Sequence, residues 1–184
     1  MSRPLIIGMD VDDVVADLVS EWLRRYRERT NHPLFPADIR AWEIAGYAKQ
    51  MPTHEFYGIL HEHDLYAKVE PHRGAKQTID RLRNDGHRIV FISSCVGNTA
   101  GDKREWLVRH GFLKGRDKHA DFIAAHDKAL VTGVDILVDD RVENVEAFPK
   151  SAVLIRKPHN EDLTCWRPRA HLKDLPELLE YLVP

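Results

Sequence analysis

The chain has 184 residues and a formal net charge of −2, from 27 lysine and arginine residues against 29 aspartate and glutamate residues. This length suits one domain with a modest insertion. The charge balance excludes the strongly basic surface that long nucleic acids favour, but it is compatible with a small anionic ligand. No segment approaches the length that spans a membrane, and the N-terminus lacks the apolar stretch of a signal peptide. The two cysteines form no metal-binding spacing and no disulfide framework, which favours a reducing compartment. We therefore expect a cytoplasmic protein.

Continuous apolar runs predict the buried strands of a parallel sheet. These runs are Leu5–Met9, Ile89–Ile92, Asp121–Ala124, Ile136–Val138 and Ala152–Ile155. Apolar residues at helical spacing lie between and after the runs, in 15–26, Arg73–Asn84, Asp102–His110 and Asp174–Leu182. Strands that alternate with helices predict a doubly wound α/β sheet, in which ligands bind beyond the carboxyl ends of the strands.

One region breaks this alternation. About eighty residues separate the first strand from Ile89, far more than one crossover helix needs. Residues 18–72 contain prolines, aromatic residues and helical stretches such as Thr53–His63. We expect them to form a small helical cap inserted after the first strand, with residues 1–17 and 73–184 forming the core. Because the insertion begins just after Asp12, we interpret it as a lid over the strand end; the alternative is a packing elaboration away from any site.

Two carboxylates one residue apart, Asp10 and Asp12, directly follow the first strand. Like charges this close raise each other's pKa unless a cation lies between them. Such a pair therefore indicates either Mg²⁺ binding or acid–base chemistry. An isolated pair of this kind is more often a solvated acidic loop. The residues after the other strands therefore distinguish a loop from a functional site.

Polar side chains follow three further predicted strands, and the carboxyl ends of parallel strands meet at one edge of the sheet. In chain order they are Ser93 and Ser94, then Lys128, then Asp139 and Asp140. Alone, such a serine is usually a helix cap, such a lysine faces solvent, and such an acid pair is a turn. Together with Asp10 and Asp12 they predict phosphoryl transfer through a carboxylate nucleophile with Mg²⁺, the hydroxyl and the lysine compensating phosphate charge.

These groups resemble, in order, the four motifs of the haloacid dehalogenase (HAD) superfamily of phosphatases. Within it, the segments Asp10–Asp17 and Ile136–Arg141 resemble the 5'(3')-deoxyribonucleotidases, also called the cytosolic type C 5'-nucleotidases, and Asp64–Ala75 is similar to that family's return from cap to core. The resemblance implies a HAD-like Rossmannoid core. It also implies hydrolysis of nucleoside monophosphates, above all 5'(3')-deoxyribonucleotides, through a phospho-aspartyl intermediate.

The resemblance further implies residue roles. Asp10 would be the nucleophile and Asp12 the general acid and base. Mg²⁺ would be bound by the Asp10 carboxylate, the Asp12 main-chain carbonyl and one aspartate of the final pair, with Asp140 favoured over Asp139. Lys128 matches the lysine that holds nucleophile and phosphate together.

Substrate contacts are expected from three further places. Ser94 fits the phosphate-binding hydroxyl better than Ser93, and Cys95 stands beside it. Leu18 and Trp42 of the cap are candidate walls for a nucleobase, since apolar and aromatic faces stack bases; alternatively, Trp42 belongs to the core of the insertion. The sequence departs from the family pattern at Asp13, where glycine is common, and at the second motif, where threonine is common.

Other functions stay open at this point. A HAD phosphatase for another small phosphate ester, such as a sugar phosphate, is the nearest alternative. A receiver-type signalling domain would need an aspartate at the end of a central strand, and Ile89–Cys95 has none. A silent phosphate-binding regulator is disfavoured because every catalytic group is present. His54, His61 and His63 lack the spacing of a zinc helix, so we expect surface histidines. A homodimer is left open as a partner, and neither a long nucleic acid nor a membrane is expected.

Overall fold

The computed structural model describes residues 3–97, 99–113 and 121–182. Its centre is a sheet of six parallel strands. The strands are β1 (Ile6–Met9), β2 (Arg88–Ser93), β3 (Phe122–Ala124), β4 (Ile136–Asp139), β5 (Ser151–Ile155) and β6 (Arg169–Ala170). Their order across the sheet is β3-β2-β1-β4-β5-β6. The predicted doubly wound α/β sheet is confirmed.

Seven α-helices surround this sheet within the described residues. They are α1 (Leu18–Thr30), α2 (Thr53–Gly58), α3 (Leu65–Lys68), α4 (Ala75–Asn84), α5 (Thr99–Arg109), α6 (Val142–Ala147) and α7 (Leu175–Leu182). Side chains alternate between the two faces of a strand, so Ile7 and Met9 pack with α4, α5 and α7, whereas Leu137 and Leu154 pack with α6 on the other face. No helix in these ranges has both the length and the apolar character needed to cross a membrane.

The strand bounds agree with the predicted runs to within one residue, apart from β6. That strand was missed because its two residues carry no periodicity. The first helix begins at Leu18 rather than at residue 15. The reason is a turn after β1, in which Asp13 has a φ of 56° and the Ala16 amide donates to the Val11 carbonyl over 2.9 Å.

The long segment between β1 and α4 builds a separate apolar cluster. All its buried members come from 19–59, and the largest are Trp22, Tyr26 and Phe56. Trp22 stacks on Phe56 with ring centroids 4.4 Å apart, and its Nε1 donates to the Phe56 carbonyl. By contrast, Leu65, Tyr66 and Val69, near the end of the segment, pack in the cluster of the sheet. The boundaries of cap and core stay a prediction.

The strand order reverses at β1. From β1 the chain moves to β2 and β3 on one side, and then returns to β4, β5 and β6 on the other side. Ligands of open α/β sheets bind in the crevice outside the carboxyl ends of strands where this reversal occurs. The fold therefore directs a search for the site to the residues that follow β1 and β4.

Candidate active site

Asp10 and Asp139 occupy the reversal point. Asp10 follows β1 directly and Asp139 is the last residue of β4, which pairs with β1. The Asp10 amide donates to the Val138 carbonyl over 2.9 Å, so the ladder between the strands continues up to the carboxylates. Both side chains are buried. The sheet itself fixes their separation and leaves them little freedom.

Lys128 joins these two carboxylates. Its Nζ lies 2.5 Å from Asp10 Oδ1 and 2.6 Å from Asp139 Oδ2. Burial opposes the charge of Lys128, but the two carboxylates raise the pKa of its ammonium group above the ordinary value. Burial raises the pKa of Asp10 well above the ordinary value; Lys128 opposes this rise, and Asp139 and Asp140 add to it. One lysine is therefore too little positive charge for this group of acids.

Asp140 has fewer partners than Asp139. Asp139 accepts hydrogen bonds from the Arg141 amide and the Asn144 side chain in addition to Lys128. Asp140 Oδ1 has no hydrogen-bond partner among the described residues, and Oδ2 lies 2.9 Å from His159 Nε2, although only 1 % of the residue is exposed. A buried carboxylate oxygen without a partner is costly, and a bound cation would remove that cost.

The residues present fit a hard divalent cation. Asp10, Asp139 and Asp140 each offer a carboxylate oxygen, and these oxygens lie within 4.8 Å of one another. Oxygen donors of this type are those that Mg²⁺ prefers. His159 contacts the same Asp140 side chain, with its Nε2 2.9 Å from Oδ2. Burial opposes a charge on His159, but Asp140 raises the pKa of its imidazole.

Asp12 is held quite differently from Asp10. Its Oδ1 accepts a hydrogen bond from the Tyr66 hydroxyl and its Oδ2 one from Lys103 Nζ, both over 2.6 Å. Burial, followed by the Asp12 charge, raises the pKa of Tyr66 well above its ordinary value, so the hydroxyl keeps its proton for this bond. Lys103 Nζ also contacts Ser93 Oγ at 3.0 Å and the Ser94 carbonyl at 2.5 Å. Asp12 is thereby linked to the end of β2.

Asp13, where the family commonly has glycine, is buried rather than facing solvent. Its left-handed φ of 56° is a conformation that glycine adopts without strain. The carboxylate lies 3.6 Å from His72 Nε2 and 3.9 Å from His159 Nδ1. Burial opposes its charge, but His72, Lys157 and His159 lower the pKa of Asp13 below the ordinary value.

The residues after β2 divide into three environments. Ser93 is fully buried and its hydroxyl contacts Lys103, whereas Ser94 is partly buried and its hydroxyl donates to the Ala125 carbonyl over 3.4 Å. Both serines line a cavity that also contacts Asp10. Cys95 does not line it; its thiol contacts the Ser93 carbonyl, and burial raises the thiol pKa. Substrate contact by Cys95 stays a prediction that this geometry does not support.

A cavity of about 400 Å³ lies over these carboxylates. Charged and polar side chains of its lining, here called the polar wall, are Asp10, Asp12, Asp13, Ser93, Ser94, Lys103, Lys128, Arg141 and Asn144. Apolar and aromatic side chains of its lining from 18–60, here called the apolar wall, are Leu18, Val19, Trp22, Trp42, Tyr57 and Leu60. Such a volume suits a small organic molecule. The cavity can therefore accept a compound with a charged end and an apolar end.

Both predicted cap residues, Leu18 and Trp42, are in the apolar wall. Trp42 is outside the buried cluster of 19–59. Its ring lies 4.9 Å from the Arg141 guanidinium and 5.0 Å from the His159 ring, so it contacts the sheet side of the cavity. His54, His61 and His63 are exposed as expected, although His61 also lines the cavity.

Sequence reasoning missed Lys103 and Tyr66. Lys103 carries a usable signal, because it precedes Trp106 and Leu107 by three and four residues and therefore shares the buried face of α5 with them. A lysine on an apolar helix face needs a buried partner, and Asp12 is that partner. Tyr66 carries no such signal, since α3 has only four residues.

Comparison with known proteins identifies the family that this chain matches. Residues 3–179 match the family model described as 5' nucleotidase, deoxy (pyrimidine), cytosolic type C protein (NT5C). The chain is 29 % identical to a 5'(3')-deoxyribonucleotidase of Clostridium acetobutylicum over 162 residues, 88 % of this chain and 86 % of the relative. It is 27 % identical to a mitochondrial 5'(3')-deoxyribonucleotidase of Mus musculus over 183 residues, 93 % of this chain and 81 % of the relative.

A solved structure supports the fold. A HAD-family hydrolase of Deinococcus radiodurans, crystallised with phosphate and sodium, superposes with a TM-score of 0.64 at 14 % identity, covering 98 % of this chain and 97 % of its own. These matches confirm the resemblance predicted from the motifs and the HAD-like core. The chain belongs to the cytosolic type C 5'-nucleotidase family of the HAD superfamily, and with it to the phosphoric monoester hydrolases.

Proposed function

We propose that this protein is a Mg²⁺-dependent phosphatase of nucleoside monophosphates, acting on 5'(3')-deoxyribonucleotides through a phospho-aspartyl intermediate. The observation that carries the proposal is the pairing of Asp10, held by Lys128, with Asp12, held by Tyr66 and Lys103, at one end of a cavity that has an apolar wall. The names of the relatives, 5'(3')-deoxyribonucleotidases from bacteria and mouse, support the substrate class.

Asp10 is the proposed nucleophile. An Asp10 oxygen attacks phosphorus, the bond from phosphorus to the ester oxygen breaks, and a phospho-aspartate forms. Lys128 supports this step because its ammonium group, fixed between Asp10 and Asp139, lies where charge accumulates on the phosphoryl oxygens. We assign the phosphate-binding hydroxyl to Ser94, whose own hydrogen bond is long and weak.

Asp12 is the proposed general acid and base. It delivers a proton to the leaving ester oxygen in the first step. In the second step it accepts a proton from the water that attacks phosphorus, so that phosphate leaves and Asp10 is regenerated. Because Tyr66 and Lys103 bind its two oxygens from two different elements, the Asp12 side chain is held in one position beside Asp10.

Asp10, Asp140 and the Asp12 carbonyl are the proposed Mg²⁺ ligands. Asp140 is preferred over Asp139 because its buried Oδ1 lacks a hydrogen-bond partner among the described residues, whereas Asp139 is engaged by Lys128, Arg141 and Asn144. When bound, Mg²⁺ would neutralise carboxylate and phosphate charge. Asp139 then serves to hold Lys128 rather than to bind the ion.

We also propose that residues 18–72 act as the cap over this site and choose the substrate. Six apolar or aromatic residues of this segment line the cavity, and Leu18 and Trp42 are among them. Faces of this kind stack nucleobases and tolerate different bases. A cytoplasmic location and a homodimer, both considered from the sequence, remain predictions.

A phosphate-release panel in Mg²⁺ tests the proposal. It compares 5'- and 3'-deoxyribonucleotides, the matching ribonucleotides, and sugar phosphates without a base. We expect kcat/KM for a deoxyribonucleotide to exceed that of the sugar phosphate of the same charge, because only the nucleotide reaches the apolar wall. Turnover of sugar phosphates without turnover of any nucleotide would contradict the proposed substrate class.

A further inference from the structure

A second cavity, outside the candidate active site, has a basic lining. It measures about 360 Å³ and is formed where four chain segments meet, after β1, before α4, after β5 and after β6. We call this cavity the basic groove. Its basic lining residues are His72, Arg73, Arg156, Lys157, His171 and Lys173. No carboxylate lines the groove within the part of the chain that the structure describes, although Asp13 and Asp17 lie 3.6 and 4.0 Å from His72 at its edge. This concentration of one sign stands out in a chain whose net charge is −2.

The cations of the groove are only partly compensated. Arg156 pairs with Glu161 at 3.1 Å, and Lys157 Nζ lies 2.7 Å from His72 Nε2. The side chains of Arg73 and Lys173 form no hydrogen bond or ion pair with any described residue. Fixed positive charges without partners in a cleft attract anions, since the low-dielectric walls focus their field.

We propose that the basic groove is a binding site for a small molecule with two or more phosphate groups. Four lysine and arginine side chains exceed what a single phosphate needs, and about 360 Å³ is at the small end of ligand sites. Oligophosphates match both the charge and the size. The site is separate from the catalytic one: none of the groove's residues lines the cavity over Asp10.

The groove is connected to the catalytic residues through His72. The same His72 Nε2 that contacts Lys157 lies 3.6 Å from the Asp13 carboxylate, and Asp13 adjoins Asp12 in the chain. A polyanion bound to Lys157 would compete with this contact. We therefore expect that occupation of the groove changes the contact of His72 with Asp13, on the polar wall of the active site.

Isothermal titration of the full chain with inorganic tripolyphosphate tests the site. The protein is first freed of metal, with the chelator removed by gel filtration, so that no metal ion in the catalytic site attracts the probe. We expect one molecule bound per chain, and weaker binding as the salt is raised from about 0.05 to about 0.3 M. Orthophosphate should bind at least about tenfold more weakly because it engages fewer cations.

Charge reversal identifies the residues. R73E/K173E should weaken tripolyphosphate binding by at least about tenfold, and the milder R73Q/K173Q should act in the same direction if the first variant folds poorly. The matched control is R40E/K49E, which reverses two exposed cations of residues 18–72 outside both cavities. Three results would overturn the proposal. The wild type could bind tripolyphosphate no more tightly than R73Q/K173Q, the control R40E/K49E could weaken binding as much as R73E/K173E does, or the wild type could bind no tripolyphosphate.

A further arm separates the two sources of oligophosphate. A nucleoside triphosphate that binds more tightly than tripolyphosphate, and loses that affinity in R73E/K173E, would assign the groove to nucleotides; equal affinities would assign it to the phosphate chain alone. Because binding is measured without turnover, these outcomes are independent of the proposed phosphatase activity. Loss of nucleotidase activity in the panel would leave this result unchanged.

Discussion

The two walls of the active-site cavity differ in how they are built. Most side chains of the polar wall come from the ends of β1 and β2 and from the residues after β3 and β4, with Lys103 from α5 and Asn144 from α6. Partners from other elements bind each of Asp10, Asp12 and Lys128. The apolar wall comes from one inserted segment, and its members mostly pack on one another. The polar wall therefore holds its charged groups in fixed positions, whereas the apolar wall provides a surface for apolar contact.

The difference indicates a division of labour. Phosphoryl transfer requires the nucleophile and the acid at set positions relative to phosphorus, and a parallel sheet supplies such positions. Contact with an uncharged part of the substrate needs flat apolar area, which changes affinity more than rate. Changes in the polar wall are therefore expected to act on kcat, and changes in the apolar wall on KM. The following predictions test that division.

Removal of the nucleophile should have the largest effect. In Asp10→Asn the side chain is too weak a nucleophile, so kcat should fall by about 10⁴-fold or more while the fold persists. The matched control is Asp17→Asn, which removes a nearby carboxylate that does not line the cavity. Initial rates of phosphate release and circular dichroism measure the two properties. Appreciable residual activity in the Asp10 variant would assign the nucleophile elsewhere.

Removal of the metal should rank second. Without a metal ion, Asp10, Asp139 and Asp140 lie close together, with Lys128 on the first two and His159 on the third, and the phosphate would add further negative charge. Chelation should reduce the rate by at least about 10²-fold, and Mg²⁺ should restore it. Activity that persists after complete chelation would contradict the interpretation of the unpartnered Asp140 Oδ1.

The supports of Asp12 should rank third. Lys103→Met removes the contact to Asp12 and the link to Ser93, so we expect kcat to fall by about 10 to 10²-fold, a part of what general acid–base catalysis contributes. Tyr66→Phe removes one hydrogen bond and should cost less. KM should change little in both variants. A rise in KM with unchanged kcat would show that these residues bind substrate and do not position Asp12.

A substitution in the apolar wall should have the smallest effect, and it should act on KM rather than on kcat. Trp42→Ala removes a face for base stacking and should raise KM for a nucleotide by about tenfold, with kcat nearly unchanged. Trp166→Ala is the matched control, because Trp166 also lies beside an arginine, Arg167, but is 68 % exposed and outside the cavity. If the two variants behaved alike, the apolar wall would have no role in substrate selection.

The polar wall was largely predictable from the sequence because strand ends converge. Once apolar runs located the strands, Asp10, Lys128 and Asp139 had to meet at one edge of a parallel sheet. The supports of Asp12 were not predicted, because they come from helices whose rotation about their own axes decides which residues face the site. Of these, only Lys103 could have been found, from its place on the buried face of α5.

The apolar wall was predictable only in outline. The length of the insertion and its aromatic residues indicated a cap, but the packing of short helices joined by irregular turns has no simple period. Trp22 and Trp42 look alike in the sequence; in the structure, Trp22 is buried against Phe56, whereas the Trp42 ring lies 4.9 Å from the Arg141 guanidinium. Tertiary contacts that the sequence does not encode locally decide between the two roles.

Chemical trapping of the intermediate tests the central claim about Asp10 and Asp12 most directly. The enzyme is mixed with excess deoxyribonucleotide and Mg²⁺, quenched during turnover, and treated with borohydride, which reduces an acyl phosphate to the alcohol. Peptide mass spectrometry then locates the modified aspartate. The account predicts homoserine at position 10 and unchanged aspartate at position 12. Homoserine at position 12, or unmodified Asp10 in samples quenched during continuing turnover, would contradict it.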